Sequence, residues 1–323
     1  MNIVITGASG SGGSFLAEFL EKKNSKFKLF GISRWHSTST DSNLRDLKKI
    51  KMVECDLTDL SRIIGVFKKI KPDYIFHLAS HANVRAGFDN PISVINNNIL
   101  STLNILEAIK LLDLKTTIQI CSTSEVYGNV SKKDIPINEN LLYRPASPYA
   151  VSKTTQDLLA QVYHLNYGMK TVITRMFAYI NPRREDLFAT SFAKQAIEIE
   201  MGKRKILSHG NLKSIRTIID VRDAMEAYWI AIKKCNYGEA YNIGGNKIIE
   251  VGEFLELIKS KVNCKVISKV DKKLLRPTDV TLQIPDTSKF YNKTGWKPKY
   301  GFEDSVDYLL DFWRKKLNNK QIY

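Results

Sequence analysis

The chain has 323 residues, of which 43% are hydrophobic and 25% charged, the composition of an ordinary globular protein with one large core or two unequal ones. No apolar run approaches the ~20 residues of a membrane span and the basic start of a signal peptide is lacking, so we expect a cytoplasmic protein without membrane contact. The net charge of +16 suggests an anionic partner, but the lysines are scattered, and we expect no nucleic-acid binding. The cysteines and histidines lack the spacing of metal ligands, so no metal site is expected.

The first half of the chain alternates short apolar runs with longer amphipathic stretches, which predicts a parallel sheet covered by helices on both faces. Helical periodicity marks residues 15–20 and 63–70, and two further helices begin at Pro91 and Pro148, where proline fits the first helical position. Runs rich in β-branched and aromatic residues predict strands at 2–6, 27–33, 51–54, 74–78, 116–121 and 171–177. The fold class is therefore α/β with a doubly wound parallel sheet.

The regular alternation of short apolar runs with amphipathic stretches changes after about residue 180. Helices are predicted at 186–201, 221–234 and 251–261, with short strands near Ile206, Ile218 and Tyr241 and an amphipathic helix at the end. We interpret residues 181–323 as a smaller C-terminal α/β region that binds substrate. Because no linker composition separates it from residues 1–180, we expect the two parts to interleave and to share a cleft.

A glycine-rich turn follows the first predicted strand and precedes the first predicted helix. Its glycines Gly7, Gly10 and Gly13 have the spacing GxxGxxG, and Ser11 and Gly12 lie between them. Glycines permit the tight turn and the close approach of a pyrophosphate to the helix N-terminus. Such a turn alone is a weak signal, but its place between strand and helix predicts an NAD(P)-binding Rossmann domain over residues 1–180.

The ends of the following strands are expected to contact the rest of the dinucleotide. The second strand ends at Ser33 and Arg34, where no acid can accept the ribose hydroxyls and a cation can pair with a 2′-phosphate. NADP is therefore favoured over NAD, although Arg34 could also be a surface arginine at a strand end. The other candidate cofactor contacts are Asp56, Leu57, Leu78, Ala79, Ser80, Asn98, Tyr149 and Lys153.

Tyr149 and Lys153 are four residues apart at the start of a predicted helix, so both side chains project from one face. A lysine ammonium and a nearby positively charged nicotinamide favour the phenolate and lower the pKa of a tyrosine toward that of a useful base. The pattern is common as a mere helical pair, but its place after the glycine-rich turn favours catalysis.

The fifth predicted strand is followed by two further candidates, Thr123 and Glu125. Ligands of open parallel sheets bind at the carboxyl ends of the strands, and there Thr123 can bond a substrate hydroxyl. Glu125 can remove a proton from carbon next to a ketone, which simple alcohol oxidation does not require. The other interpretation of Glu125 is a solvated loop acid or a helix cap.

Six segments are more specific than these short patterns: TGASGSGGSFLAEFL, STSEVYG, RPASPYAVSK, NPRREDLF, GNLKSIR and RPTDVTLQIPDTSKFYNKTGWKP. Together they resemble the extended short-chain dehydrogenase/reductase family that acts on nucleotide sugars, and within it the GDP-mannose 4,6-dehydratase branch. The resemblance spans nearly the whole chain and implies that Thr123, Glu125, Tyr149 and Lys153 are catalytic. It also implies substrate contacts, in which arginines bind the diphosphate by forked hydrogen bonds, at Ser124, Asn181, Arg184, Asn211, Arg216, Arg276 and Asp279.

The mechanism implied by the resemblance returns the cofactor to its starting state. Tyr149 takes the proton of the carbon 4 hydroxyl while hydride passes to the nicotinamide, and the resulting ketone acidifies carbon 5. Glu125 then removes the carbon 5 proton, water leaves carbon 6, and the stored hydride returns to carbon 6. The product is a GDP-4-keto-6-deoxy sugar.

Several residues depart from the family pattern. Ser124 stands where many sugar dehydratases carry an aspartate, although the GDP-mannose branch also has serine, and Ala178 and Tyr179 replace the usual Asn-His. These differences leave GDP-mannose and GDP-N-acetylglucosamine both open as substrates. A GDP-4-keto-6-deoxy-sugar reductase, an epimerase and a non-catalytic cofactor sensor are the alternative functions. Residues 35–43 do not resemble the longer basic loop of family tetramers, so we expect a homodimer through the helices at Pro91 and Pro148, or else a homotetramer.

Overall fold

The computed structural model describes residues 1–34 and 42–319, so most of segment 35–43 lies outside the described residues. The helices are α1 Ser11–Lys23, α2 Leu60–Ile70, α3 Val84–Asp89, α4 Pro91–Leu111, α5 Pro148–Tyr167, α6 Phe188–Glu200, α7 Val221–Lys234, α8 Val251–Ser260, α9 Ser288–Thr294 and α10 Phe302–Asn319. The strands are β1 Asn2–Thr6, β2 Lys28–Ser33, β3 Ile50–Glu54, β4 Tyr74–His77, β5 Thr117–Thr123, β6 Lys170–Met176, β7 Tyr179–Ile180, β8 Ile206–His209, β9 Ile215–Asp220, β10 Ala240–Ile243, β11 Lys247–Glu250, β12 Ile267–Val270 and β13 Leu282–Gln283.

Seven parallel strands form the main sheet in the order β10-β6-β5-β4-β1-β2-β3. The chain winds outward from β1 first to β2 and β3 and then, on the other side, to β4, β5 and β6. This doubly wound order confirms the predicted fold class. Each predicted strand is present with ends within about two residues of the expected ones. β5 continues to Thr123 because its ladder with β6 extends to the pair Thr123 and Met176.

The seventh strand of the main sheet comes from beyond residue 180. β10 pairs in parallel with β6 and aligns Ala240 with Ile173. α7 also returns to the main sheet and packs against α1. A short apolar strand near Tyr241 is visible in the sequence, but only its tertiary pairing decides which sheet it joins.

Alternate residues of β1 face opposite sides of the main sheet. Ile3 and Ile5 belong to the core under α1 and α7, whereas Val4 belongs to the core under α2, α4 and α5. All three side chains are fully buried. Such burial on both faces is typical of a parallel sheet.

The smaller region has its own sheet, in which β9 lies between β11 and β13 and also pairs with β7, while β8 and β12 form a separate two-stranded sheet. α6, α8 and α10 enclose a third core that contains Phe192, Phe254 and Trp313. Over residues 1–34 and 42–319, no helix combines the length and the apolar character needed to cross a membrane. The carboxyl ends of the main strands face this region, and the site lies there.

Candidate active site

A cleft of about 1550 Å³ lies between the carboxyl ends of the main strands and the smaller region. It unites the glycine-rich turn, the predicted catalytic groups and most of the predicted substrate contacts. The predicted site residues that line it are Gly7, Gly10, Ser11, Gly12, Gly13, Leu78, Ala79, Ser80, Thr123, Ser124, Glu125, Tyr149, Lys153, Arg184, Asn211, Arg216, Arg276 and Asp279.

The glycine-rich turn forms one end of the cleft. Gly7 has φ +68°, and a Cβ there would lie 2.9 Å from the Ala79 Cα, so only glycine fits. α1 begins at Ser11 with no side-chain cap and no acid in its first turn, which leaves backbone N–H groups free to bind an anion. A Cβ on Gly12 would have the Leu78 side chain as its nearest neighbour, at 3.5 Å. The turn therefore has the shape and the donors that a dinucleotide pyrophosphate requires.

The loop after β4 lies beside this turn. Thr6 Oγ1 accepts a hydrogen bond from the Ala79 N–H at 3.1 Å and lies 2.8 Å from His77 Nδ1. Burial, together with the smaller influence of the nearby charge of Lys153, lowers the pKa of His77 to about 3. His77 is therefore neutral and supports the loop. Ser80 Oγ is buried and has no partner in the described part of the chain.

A few predicted contacts lie outside the cleft lining within the described ranges: Ser33, Arg34, Asp56, Leu57, Asn98 and Asn181. Ser33 and Arg34 end β2, and Asp56 and Leu57 follow β3, so these four lie farther along the same sheet edge. Arg34 is exposed, and its Nη2 lies 3.5 Å from His81 Nε2. The adenine half of a dinucleotide would extend along this edge.

Asn98 and Asn181 are fully buried and support neighbouring segments. Asn98 accepts a hydrogen bond from the His81 N–H at 2.8 Å and donates to Ser152 Oγ at 2.9 Å, which links the loop after β4 to α5. Asn181 accepts from the Arg183 N–H at 3.0 Å. Direct cofactor or substrate contacts of the two asparagines stay predictions.

Tyr149 and Lys153 project from the first turns of α5. Ser147 caps this helix by accepting a backbone hydrogen bond, and Pro148 occupies the first helical position, as predicted. Lys153 Nζ donates to the Cys121 carbonyl at 2.8 Å and lies 5.9 Å from the centre of the Tyr149 ring. The end of β5 thus fixes the lysine next to the tyrosine.

The end of β5 also presents a hydroxyl and a carboxylate to the cleft. Thr123 Oγ1 accepts a hydrogen bond from the Glu125 N–H at 3.3 Å and so caps the short turn that follows the strand. Ser124 is buried beside them. Glu125 Oε1 lies 3.7 Å from Arg276 Nη1, which comes from the segment before β13. Glu125 therefore lies where the two walls of the cleft meet.

Burial dominates the acid–base properties of the tyrosine–lysine pair. It raises the pKa of the Tyr149 phenol, and the positive charge of Arg184 is the largest influence that opposes this rise. Burial lowers the pKa of Lys153. Sequence reasoning assigned Arg184 to the nucleotide alone, because no local pattern indicates that it approaches Tyr149.

Arg184 joins the two walls of the cleft. Its Nη2 donates to the Ala82 carbonyl in the loop after β4 at 2.8 Å, and its Nε pairs with Asp186 at 3.0 Å. These bonds hold the guanidinium over the site. The cation can therefore act on Tyr149 and on a substrate phosphate.

The other predicted nucleotide contacts form a polar wall on the smaller region. Arg216 is buried, and its Nη2 donates to the Val280 carbonyl at 2.6 Å. Asn211 Nδ2 donates to Asp279 Oδ2 at 2.7 Å, and Ser214 Oγ lies 3.2 Å from the same oxygen. Arg216, Arg276 and Arg184 make this side of the cleft cationic and suited to a diphosphate.

Comparison with known proteins agrees with this geometry. A family model described as GDP-mannose 4,6 dehydratase matches residues 4–309. The chain belongs to the GDP-mannose 4,6-dehydratase family. This membership confirms the resemblance found in the sequence motifs.

Two relatives and one solved structure show the range of this similarity. GDP-mannose 4,6-dehydratase of Yersinia enterocolitica is 29% identical, with 93% of this chain and 90% of the relative aligned. GDP-6-deoxy-D-mannose reductase of Pseudomonas aeruginosa is 28% identical, with 77% of this chain and 83% of the relative aligned. UDP-glucuronic acid 4-epimerase of Bacillus cereus, in complex with UDP-glucuronic acid and NAD, has a TM-score of 0.86 and 27% identity and covers 100% of both chains.

In this member of the family, a buried ion pair supports α5, the helix that carries Tyr149 and Lys153. Asp157 follows Lys153 by one turn and accepts a hydrogen bond from Arg175 Nε at 2.9 Å, and both side chains are buried. Arg175 Nη1 donates to Tyr127 Oη at 2.8 Å, which ties α5 to the turn that carries Glu125. Sequence reasoning missed this network, although charged residues within an apolar strand and on a buried helix face were a usable signal.

The described residues include no group of three or more His, Cys, Asp or Glu side chains arranged to hold a metal ion.

Proposed function

We propose that this protein is a GDP-sugar 4,6-dehydratase, a lyase that converts a GDP-hexose such as GDP-mannose or GDP-N-acetylglucosamine to the GDP-4-keto-6-deoxy sugar. The observation that carries the proposal is that one cleft contains the glycine-rich turn, the pair Tyr149 and Lys153, and Glu125. Oxidation of an alcohol needs the first two features, whereas elimination also needs a base. Membership of the GDP-mannose 4,6-dehydratase family supports the same function.

We infer that the cofactor is a nicotinamide dinucleotide, and specifically NADP. The uncapped N-terminus of α1 and the tight turn at Gly7 and Gly13 fit a pyrophosphate. The NAD complex of the Bacillus cereus epimerase supports the cofactor class, and Arg34 supports the choice of NADP through pairing with a 2′-phosphate. When bound, the oxidised nicotinamide would accept a hydride, which is one proton with two electrons, from carbon 4 of the sugar and would return it in the same turnover.

Tyr149 takes the proton of the carbon 4 hydroxyl in the first step. Because burial raises the pKa of its phenol, neighbouring positive charges are needed to favour the phenolate. Arg184 and Lys153 supply such charges, and the carbonyl of Cys121 keeps Lys153 in place. The hydroxyl of Thr123 orients the same sugar hydroxyl.

Glu125 acts in the second step. The carbon 4 ketone acidifies the carbon 5 proton, which Glu125 removes, and the electron pair left on carbon 5 forms a double bond to carbon 6 as the hydroxyl departs. That hydroxyl needs a proton to leave as water. Ser124 is too weak an acid, so Glu125 returns the proton it has taken or a water molecule supplies one. A hydride then adds to carbon 6 and a proton to carbon 5, so the hydride removed from carbon 4 is regained and the sugar has lost one water.

The test is incubation of the purified, NADP-loaded protein with GDP-mannose and with GDP-N-acetylglucosamine, separately and without added reductant. We expect the mass of one of the two to fall by one water. Glu125→Gln should abolish this loss while NADP binding is unchanged. Full turnover by the E125Q protein would contradict the elimination step.

A reductase of GDP-4-keto-6-deoxy sugars is the second candidate, because the Pseudomonas aeruginosa relative is a GDP-6-deoxy-D-mannose reductase. Such an enzyme would consume one NADPH for each product molecule and would not need Glu125. Stoichiometric NADPH oxidation with no loss of water from either GDP sugar would establish the reductase.

We also propose a homodimer formed through α4 and α5. These helices pack against each other, and one face of α5 exposes three apolar side chains, Leu158 at 45%, Val162 at 47% and Leu165 at 79% exposure. An apolar patch of this kind is typical of a subunit interface. Leu165→Asp should shift the sedimentation coefficient toward that of a monomer, and a wild type that sediments as a tetramer would contradict the dimer.

A cytoplasmic location and the lack of nucleic-acid binding stay predictions.

A further inference from the structure

Gln283 is a buried polar residue of the cleft with no role in the mechanism above. Its side chain is 4% exposed and lines the cleft from β13. Its Nε2 has no hydrogen-bond partner within residues 1–34 and 42–319. Native proteins seldom leave a buried donor unpaired, because such a donor has lost its bonds to water without replacement. A hydrogen-bond acceptor on a bound ligand would pair with this donor and replace the lost bonds to water.

The strands of the smaller region place Gln283 beside Arg216. β13 and β9 are parallel neighbours in which Gln283 pairs directly with Arg216. The side chains of directly paired residues project from the same face of a sheet, so the side chains of Gln283 and Arg216 lie side by side. Arg216 Nη1 donates to the Ile215 carbonyl at 3.0 Å and Nη2 to the Val280 carbonyl at 2.6 Å. These bonds fix the guanidinium next to the amide.

The carboxylates near Arg216 are engaged elsewhere. Asp279 Oδ2 accepts a hydrogen bond from Asn211 at 2.7 Å and lies 3.2 Å from Ser214 Oγ. Glu125 Oε1 lies 3.7 Å from Arg276 Nη1. Neither acid is bonded to the Gln283 amide. A ligand bound in the cleft could supply the hydrogen-bond acceptor that the amide lacks.

We propose that Gln283 is a substrate-binding residue whose Nε2 donates to a diphosphate oxygen of the GDP sugar, next to Arg216. The inference rests on the proposed function, which places a nucleoside diphosphate sugar in this cleft. A phosphate oxygen is the fitting acceptor because its negative charge also compensates the buried cation of Arg216. A sugar hydroxyl at this position would add no negative charge beside that cation, whose pKa burial lowers in spite of the nearby charges of Glu125 and Asp279.

The experiment compares wild type with Gln283→Leu, which removes the amide and nearly preserves the side-chain volume. Calorimetry measures the binding of GDP and of guanosine to the NADP-loaded proteins, and thermal unfolding is recorded on separate samples freed of NADP and GDP. We expect the affinity for GDP to fall roughly tenfold or more, since a hydrogen bond to a charged group is lost, and the affinity for guanosine to be unchanged. The nucleotide-free Q283L protein should melt at or above the wild-type temperature, because an unpaired buried donor has been removed.

Gln195→Leu is the matched control. Gln195 is buried outside the cleft lining, and its amide donates to the Ser208 carbonyl at 3.0 Å and accepts from the Ser208 N–H at 2.8 Å. Q195L should therefore lower the melting temperature and leave the affinity for GDP unchanged. The two glutamines thus separate a ligand contact from a structural one.

Other outcomes overturn the inference. Equal GDP affinity in wild type and Q283L would remove the substrate contact and leave the proposed function intact. A loss confined to GDP sugars, with normal GDP binding, would exclude the diphosphate as the acceptor. A lower melting temperature of nucleotide-free Q283L would indicate a structural role. A wild type that binds neither GDP nor a GDP sugar would instead overturn the proposed function.

Discussion

The two walls of the cleft are built in different ways. The wall from the main sheet consists largely of backbone: the glycine-rich turn, the N-terminus of α1 and the ends of parallel strands. The wall from the smaller region consists largely of long side chains, among them Arg216, Arg276 and Gln283. A backbone site cannot change without moving the fold, whereas a side-chain site changes with single substitutions. Cofactor binding is therefore tied to the fold, and substrate choice is free to vary within it.

The largest effect is expected where the two walls meet, at Tyr149. Tyr149→Phe removes the phenolate oxygen that accepts the sugar proton in the proposed mechanism, so kcat should fall roughly a thousandfold, within the usual range for a lost general base. Product formation measured by mass spectrometry checks this change, with NADP affinity expected to be normal. Tyr241→Phe is the control, because Tyr241 is also buried but donates to Glu239 away from the cleft. A kcat of Y149F within tenfold of wild type would contradict its role.

The next largest effect tests whether the wall from the main sheet binds the cofactor through the backbone of the glycine-rich turn. A Cβ on Gly13 would lie 2.2 Å from the Gly7 carbonyl oxygen, whereas a Cβ on Gly12 meets only a side chain at 3.5 Å. Gly13→Ala must therefore shift the turn, and NADP affinity should fall about ten- to hundredfold. Gly12→Ala should change it much less. Fluorescence titration with NADPH measures both, and equal affinities of the two variants would refute the distinction.

The difference between the two walls also explains which parts of the fold and of the site could be predicted from the sequence. Backbone features leave local signals, so the strands, the glycine-rich turn and the start of α5 at Pro148 were predicted closely. The side-chain wall is assembled from segments distant in sequence, and its members were identified through family motifs. The approach of Arg184 to Tyr149, the pairing of Arg175 with Asp157 and the pairing of Gln283 with Arg216 depend on tertiary structure. A charged residue within an apolar strand, such as Arg175, indicates that a partner is needed, but periodicity and spacing do not identify that partner.

Arg184 belongs to the smaller region but acts on the main-sheet side of the cleft. It donates a hydrogen bond to the Ala82 carbonyl, and its charge opposes the rise that burial causes in the pKa of Tyr149. Removing this cation by Arg184→Gln should raise the pKa of Tyr149 further, so the rising limb of kcat against pH should move to higher pH. At neutral pH we expect kcat to fall on the order of tenfold, as for a charge interaction of about 1.4 kcal/mol. Arg184→Lys retains the charge and should restore most of the profile. A change in KM with an unmoved pH profile would restrict Arg184 to substrate binding.

The smallest effect concerns Arg34, a side chain that lies outside the cleft lining on the same sheet edge. Arg34 is exposed at the end of β2, where its guanidinium lies near His81. An exposed ion pair contributes up to about 1 kcal/mol, so Arg34→Ala should weaken NADPH binding by about fivefold and make it less sensitive to salt. NADH has no 2′-phosphate, and its affinity should be unchanged in the same titration. An equal loss for both cofactors would mean that Arg34 supports the adenosine generally, and cofactor choice would then have to depend on other residues.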